Sequence, residues 1–256
     1  MWRTKVCTLT VICIAVSLFT QLLLSVVFAA EVKVAVASNF ASTARALVEQ
    51  YSKLSDDDIV LLVGSTGKHT SQIQYGLPAD VFLAADSARP KLLEDLGLTV
   101  PGSRHTYAIG RLVLWSKDSS LVDPQGQVLG SSIFKRLAIA NPKTAPYGAA
   151  ANQVLLNLGF QPSLVYGESV AQAFQFANSG AAELAMLALS QVKNLQQGSF
   201  WLVPSDLHLP IEQQLVLLNN LKPARDFVDF LATEQGLSII QSHGYARPEL
   251  VRSLTK

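Results

Sequence analysis

The sequence predicts an α/β fold built as two lobes, and three observations carry that reading. From Glu31 onward, short apolar runs alternate with stretches of helical periodicity, the pattern of strand–helix units on a mainly parallel sheet. This series occurs twice, first from Val32 to Gly97 and again from Leu137 to Leu189. Two further apolar runs, Arg111–Ser116 and Gln214–Leu218, lie near the boundaries between the two series and are expected to cross between the lobes. The chain then returns to the first lobe at its end, giving lobe I as residues 30–112 with 213–256 and lobe II as residues 113–212.

The first series opens with the strand Val32–Ala37, followed by Ser38 and Asn39. Phe40, Ala44, Leu47, Val48 and Tyr51 then recur at the spacing of one helix face. Asp58–Val63 reads as a buried strand, and Gly64-Ser65-Thr66-Gly67 turns tightly into a short helix that stops near Gly76. Pro78–Asp86 contains the third strand, and Leu92, Leu93 and Leu96 mark a helix closed by Gly97.

After the apolar run Arg111–Ser116 comes a polar, turn-rich stretch, Lys117–Ser132. The strand Leu137–Ala140 leads through Asn141–Gly148 into a helix with Val154, Leu155 and Leu158, ended by Gly159. Leu164–Tyr166 is a short strand, and the helix from Val170 carries Ala173, Phe174 and Ala177 before Gly180. Leu184–Leu189 and Phe200–Val203 are further strands, with Trp115 and Trp201 placed as core residues of their strands. Pro223 sits where a helix can start, with Phe227, Phe230 and Leu231 on its buried face, and Gly236–Ser242 forms a last helix before Gly244 and Tyr245.

The first 29 residues stand apart. Arg3 and Lys5 precede a nearly uncharged stretch from Val6 to Ala30, with small residues where a signal peptidase cuts after Ala29 or Ala30. The stretch is also long enough to span a bilayer as an uncleaved anchor, but the polar chain that starts at Glu31 favours cleavage and export to the periplasm. Val11-Ile12 before Cys13 lacks the small residue of a lipoprotein signal. Both cysteines, Cys7 and Cys13, fall in this leader, so the mature chain holds no thiol, disulfide or cysteine metal site. Loss of Arg3 and Lys5 with the leader takes the formal net charge from +1 to −1, and no basic footprint for nucleic acid remains.

Four joints share one chemistry: Ala37–Phe40, Gly64–Gly67, Ala145–Gly148 and Gly167–Val170. Each carries a chain from a strand into a helix through small or hydroxyl residues, leaving main-chain N–H groups free where the helix dipole is positive. The repetition suggests that all four converge on one small oxyanion. Gly67-Lys68 is not a nucleotide-binding P-loop, because Leu62 and His69 stand where that motif needs Gly and Ser or Thr. Nor is there a Gly-x-Ser-x-Gly nucleophile elbow.

Val34–Asn39, Gly64–Lys68, Pro78–Asp86, Ala140–Gly148 and Ala188–Gln191 occur in order, and together they resemble the periplasmic molybdate-binding proteins of ABC importers over essentially the whole mature chain. The resemblance implies a type II periplasmic-binding fold, two Rossmann-like lobes joined by two crossover strands and closing on the anion. It places the first hydroxyl ligand on Ser38 with the Asn39 backbone beside it, and the second in Ser65-Thr66. Gap-free counting back from Pro78-Ala79-Asp80 favours Thr66, with Ser65 adjacent. The second-lobe backbone donors fall on Tyr147 and Val170. The contacts at Ser38, Thr66, Tyr147 and Val170 would be to the oxyanion's oxygens, not to its metal. Some relatives also use a Tyr hydroxyl where this chain has Ala188, so that ligand is missing and Tyr147 is a candidate to compensate.

A fully deprotonated dianion only accepts hydrogen bonds, so hydroxyls and helix-start amides suit it without a buried cation, whose desolvation is expensive. Each charge-assisted bond contributes ~1.5–3 kcal/mol net. Phosphate carries a proton near neutral pH and needs an acceptor. Glu168, the one carboxylate beside a joint, reads as a solvent-facing helix-start charge. Asp80 and Asp86 read as turn or capping residues, and Lys68 and Arg45 as solvated helix positions. His69, His105, His208 and His243 show no metal spacing and read as surface or satisfied histidines.

The expected function is therefore a periplasmic solute-binding protein that captures molybdate, and tungstate with it, without a cofactor. It acts as a monomer and delivers the anion to an ABC permease of the inner membrane. A binder of sulfate or phosphate is the alternative. An exported dehydratase-type enzyme on the same scaffold is disfavoured, because it needs a general acid or base in the cleft.

Overall fold

The computed structural model describes residues 30–248 of the chain. The leader expected at residues 1–29 lies outside the described residues. The first half contains β1 (Glu31–Ala37), a 3₁₀ turn (Ser38–Phe40), α1 (Ala41–Tyr51), β2 (Asp58–Gly64), α2 (Thr66–Gln74), β3 (Val81–Leu83), α3 (Ala88–Asp95), β4 (His105–Gly110) and β5 (Leu112–Ser116). There follow β6 (Leu137–Ala140), α4 (Pro146–Leu158), β7 (Leu164–Gly167), α5 (Val170–Asn178), β8 (Leu184–Ala188) and α6 (Leu189–Val192). The chain closes with β9 (Ser199–Leu202), β10 (Ile211–Leu217), α7 (Lys222–Ala232) and α8 (Glu234–Ser242). Among the described residues no helix is long and apolar enough to cross a membrane.

Two five-stranded sheets organise these elements, in the orders β2-β1-β3-β10-β4 and β7-β6-β8-β5-β9. The central strands explain their own sequences. Val34, Ala35 and Val36 of β1 are fully buried and feed both faces, hence the unbroken apolar run from Val34 to Ala37. Alternate residues feed opposite faces of this sheet. Val34, Val36, Val81 and Leu83 pack with α1, α7 and α8, among them Leu47, Phe227 and Ile240. Ala35, Phe82 and Val216 pack on the other side with Ile73 and Leu93 of α2 and α3. Around the second sheet, Leu114, Trp115, Ile139, Val154 and Leu187 belong to one larger core. Trp115 and Trp201 are both buried there, as expected.

Four sequence expectations need correction. The sheets are mixed, because β10 runs antiparallel to β3 and β4 while β5 runs antiparallel to β8 and β9. Neither Arg111–Ser116 nor Gln214–Leu218 spans both sheets: β5 ladders only with the second sheet, and β10 only with the first. The chain passes between them at Gly110–Leu112 and again between Leu202 and Ile211, two passages that run side by side through the Val203 N–H bond to the Leu112 carbonyl (3.0 Å). Each sheet thus holds, second from one edge, a strand that has just arrived from the other. Finally, β4 is a strand that the sequence reading left out, and the third strand shrinks to Val81–Leu83.

Candidate functional site

The joints expected to converge do so. A small hollow, with a cavity volume of about 10 Å³, lies at the carboxyl ends of β1, β2 and β3 in one sheet and β6 and β7 in the other. That is the crevice where open α/β sheets hold ligands. Ser38, Asn39, Ser65, Thr66, Tyr147 and Val170 all line it, with Ala37, Ala85, Ala145 and Pro146 between them. None of these lining residues is charged. A wider cleft abuts the hollow and shares Ser38 and Asn39 with it.

Each donor is placed by its element. After β1, the 3₁₀ turn brings Ser38 and Asn39 directly to the strand end, both buried. Ser65 holds the position before α2 in extended conformation, and its hydroxyl does not cap the helix. Thr66 Oγ1 accepts the N–H of Ala85 at 3.0 Å, which occupies the hydroxyl as acceptor and leaves its own proton to donate. Pro146 begins α4, so Tyr147 is the second helical residue and its N–H has no carbonyl one turn back. Val170 is the first residue of α5, where the Ser169 side chain accepts the Gln172 N–H and the Val170 N–H has no carbonyl one turn back.

Beneath the hollow lies a polar network that sequence reasoning missed. Gln213, fully buried in β10, accepts from Asn39 Nδ2 (2.9 Å) and Tyr107 OH (3.1 Å) and donates through Nε2 to Tyr147 OH (3.2 Å). The Asn39 carbonyl accepts from Ser190 Oγ at 2.8 Å, and the Tyr245 hydroxyl lies 2.8 Å from the same carbonyl and 2.9 Å from Ser190 Oγ. The Asn39 side-chain amide and carbonyl are thereby committed to the network. Burial pushes the Tyr107 and Tyr147 hydroxyls well above the usual tyrosine range and Tyr245 up to about 12, so all three stay neutral. The signal for this network was a run of glutamines inside an apolar strand, at Gln213 and Gln214. Ala188, where some relatives place a Tyr ligand, is a fully buried strand end.

Other residues fall as read or need correction. Glu168, Lys68 and Arg45 are exposed. Asp80 accepts the Lys33 N–H at 2.6 Å, and Asp86 accepts the Arg89 N–H at 3.0 Å while pairing with the Arg89 guanidinium. His69 departs from the expectation of a surface or satisfied histidine. It is 4% exposed, neither ring nitrogen has a hydrogen-bond partner, and it packs edge-on against Phe82 beneath Gly64. Burial holds its pKa below the ordinary value. Among the described residues no group of His, Cys, Asp and Glu is placed to hold a metal ion.

Comparison with known proteins gives concordant results. Residues 32–246 match the family model described as bacterial extracellular solute-binding protein. The molybdate-binding protein ModA of Azotobacter vinelandii is 48% identical over 242 residues, covering 91% of this chain and 96% of that protein. ModA of Rhodobacter capsulatus is 43% identical over 224 residues, covering 85% of this chain and 88% of its own length. The solved periplasmic molybdate-binding protein of Azotobacter vinelandii superposes with a TM-score of 0.82 at 38% identity, covering 85% of this chain and 99% of that one.

Proposed function

We propose that this chain, which belongs to the bacterial extracellular solute-binding protein family, captures molybdate between its two lobes and delivers it to an ABC permease. One observation carries the reading: the hollow is lined from both sheets by hydroxyls and helix-start N–H groups and by no carboxylate. Such a surface offers donors alone, which suits a dianion that has no proton to give. Desolvating two negative charges is offset by fixed dipoles from both sides, so no buried cation is needed.

On this reading the ligands are the hydroxyls of Ser38 and Thr66 and the main-chain N–H groups of Asn39, Tyr147 and Val170, with Ser65 beside Thr66 in the same lining. The Ala85–Thr66 bond supports Thr66 over Ser65 as the second hydroxyl, because it orients that proton. Tungstate, with the same charge and shape, binds alongside molybdate. The protein is a carrier and not a catalyst, works as a monomer in the periplasm after loss of residues 1–29, and divides into lobe I (30–112 with 213–256) and lobe II (113–212). The sheet memberships of β1–β4 with β10, and of β5–β9, support that division.

Titration calorimetry of the mature protein against molybdate, tungstate, sulfate and phosphate tests the proposal. Molybdate and tungstate are expected to bind tightly and raise the melting temperature, with phosphate giving little of either. Equal stabilisation by phosphate would overturn it.

A further inference from the structure

Gly67 lies in the first turn of α2, yet its N–H donates to the Thr144 carbonyl of the loop after β6, in the opposite lobe, at 2.9 Å. One residue away, Arg89 of α3 donates through Nη2 to the Lys143 carbonyl at 2.8 Å. Two groups of the first lobe therefore grip two consecutive carbonyls of the second. The three residues that follow those carbonyls, Ala145, Pro146 and Tyr147, line the hollow. Asp86 holds the guanidinium from behind.

We propose that this pair forms a clasp that sets how tightly the lobes close, with Gly67 as its determining residue although it never touches the anion. The inference rests on the reading of the hollow as a molybdate site between lobes. An added Cβ at Gly67 would stand 2.9 Å from the Thr144 oxygen, 3.0 Å from its Cα and 3.3 Å from Arg89 Nε. Two of those three atoms are backbone and cannot rotate away, so any side chain there wedges the lobes apart. The backbone at Gly67 is helical and lies outside the left-handed region, so alanine strains nothing within its own lobe. Alanine is in fact the better helix former. Glycine at this helix start is thus explained by what approaches it from across the cleft. Closure by ligand-independent bonds raises affinity because the binding-competent state is already favoured.

Gly67→Ala and Arg89→Gln test the clasp, with the exposed Lys68→Ala as control. Gly67→Ala is expected to melt no lower than wild type without ligand, yet to release molybdate faster and bind it at least about tenfold more weakly. Arg89→Gln is expected to weaken binding several-fold, and Lys68→Ala to leave it unchanged. Small-angle scattering of the ligand-free proteins is expected to show a larger radius of gyration for Gly67→Ala. Wild-type binding with both variants equal to it, or an unchanged radius, overturns the clasp. Absence of molybdate binding in the wild type overturns the reading of the hollow instead, while the scattering comparison still decides the clasp. If Gly67→Ala does not fold, Arg89→Gln decides alone.

Discussion

The main-chain N–H of Ala85 donates to Thr66 Oγ1, tying the residues after β3 to the first residue of α2. The bond does two things at once. It satisfies a buried amide, and it takes up one acceptor site of the threonine hydroxyl while leaving the hydroxyl proton free to donate. Thr66→Val is therefore expected to lower molybdate affinity by about tenfold to a hundredfold, from the loss of one charge-assisted bond. It also lowers the melting temperature of the ligand-free protein by stranding the Ala85 N–H. Thr66→Ser keeps both properties. Calorimetry and thermal melts of the two variants check this, and wild-type affinity in Thr66→Val removes Thr66 from the site.

Ser38 follows β1, a central strand of the first sheet whose last four residues are all buried. Ser38→Ala is expected to cost about tenfold or more in molybdate affinity, with little change in the stability of the ligand-free protein. Unchanged affinity in a competition titration would exclude its hydroxyl from the contact set.

His69 gives the fold an acid sensitivity. Burial depresses its pKa below 6.5, so below that pH the unfolded chain binds a proton that the folded chain refuses. Stability therefore rises with pH through the window just under 6.5 and levels off above it. The melting temperature is expected to fall between pH 7 and pH 5, and His69→Leu is expected to flatten that fall. An identical pH profile in the variant would show that other groups set the acid limit.

Gln213 bonds three partners that come from three separated segments of the chain. Gln213→Leu leaves the Tyr147 hydroxyl without its partner, at about 1–3 kcal/mol for an unsatisfied buried group, while Asn39 Nδ2 keeps the Tyr245 hydroxyl and Tyr107 OH keeps the Ala84 carbonyl. Denaturant unfolding is expected to show that loss. Molybdate affinity is expected to fall as well, since Asn39 and Tyr147 both border the hollow. A stability loss without any change in affinity would make the network purely structural.

The site was more legible in the sequence than its support. Strand-to-helix joints announce themselves locally, because Ser38, Ser65, Thr66 and Val170 follow apolar runs and precede helical periodicity. That chemistry needs no knowledge of the partner strand. The network does not announce itself, since Asn39, Tyr107, Tyr147, Ser190, Gln213 and Tyr245 meet only through the fold. The same holds for β4, whose His105–Gly110 stretch shows little apolar pattern and is a strand because β10 pairs with it. Mixed sheets were also hidden. Periodicity identifies a strand but not its direction, and β5 and β10 take theirs from the passage between lobes. His69 shows the limit at a single residue, where a polar side chain on a short helix lies inward with no partner.

The exchange of strands between the sheets bears on how the chain acquires its shape. The first sheet lacks β10 until residue 217 has emerged, and the Asn39 carbonyl waits for Tyr245, 206 positions later, to reach it. Pairings of such long sequence separation are slow to form. A partly synthesised chain therefore remains without its completed first sheet, and the amino-terminal segment matures only once residue 245 has been made. Were the chain threaded through a membrane before it folds, as the proposed export requires, that delay would keep it in the state a narrow channel accepts.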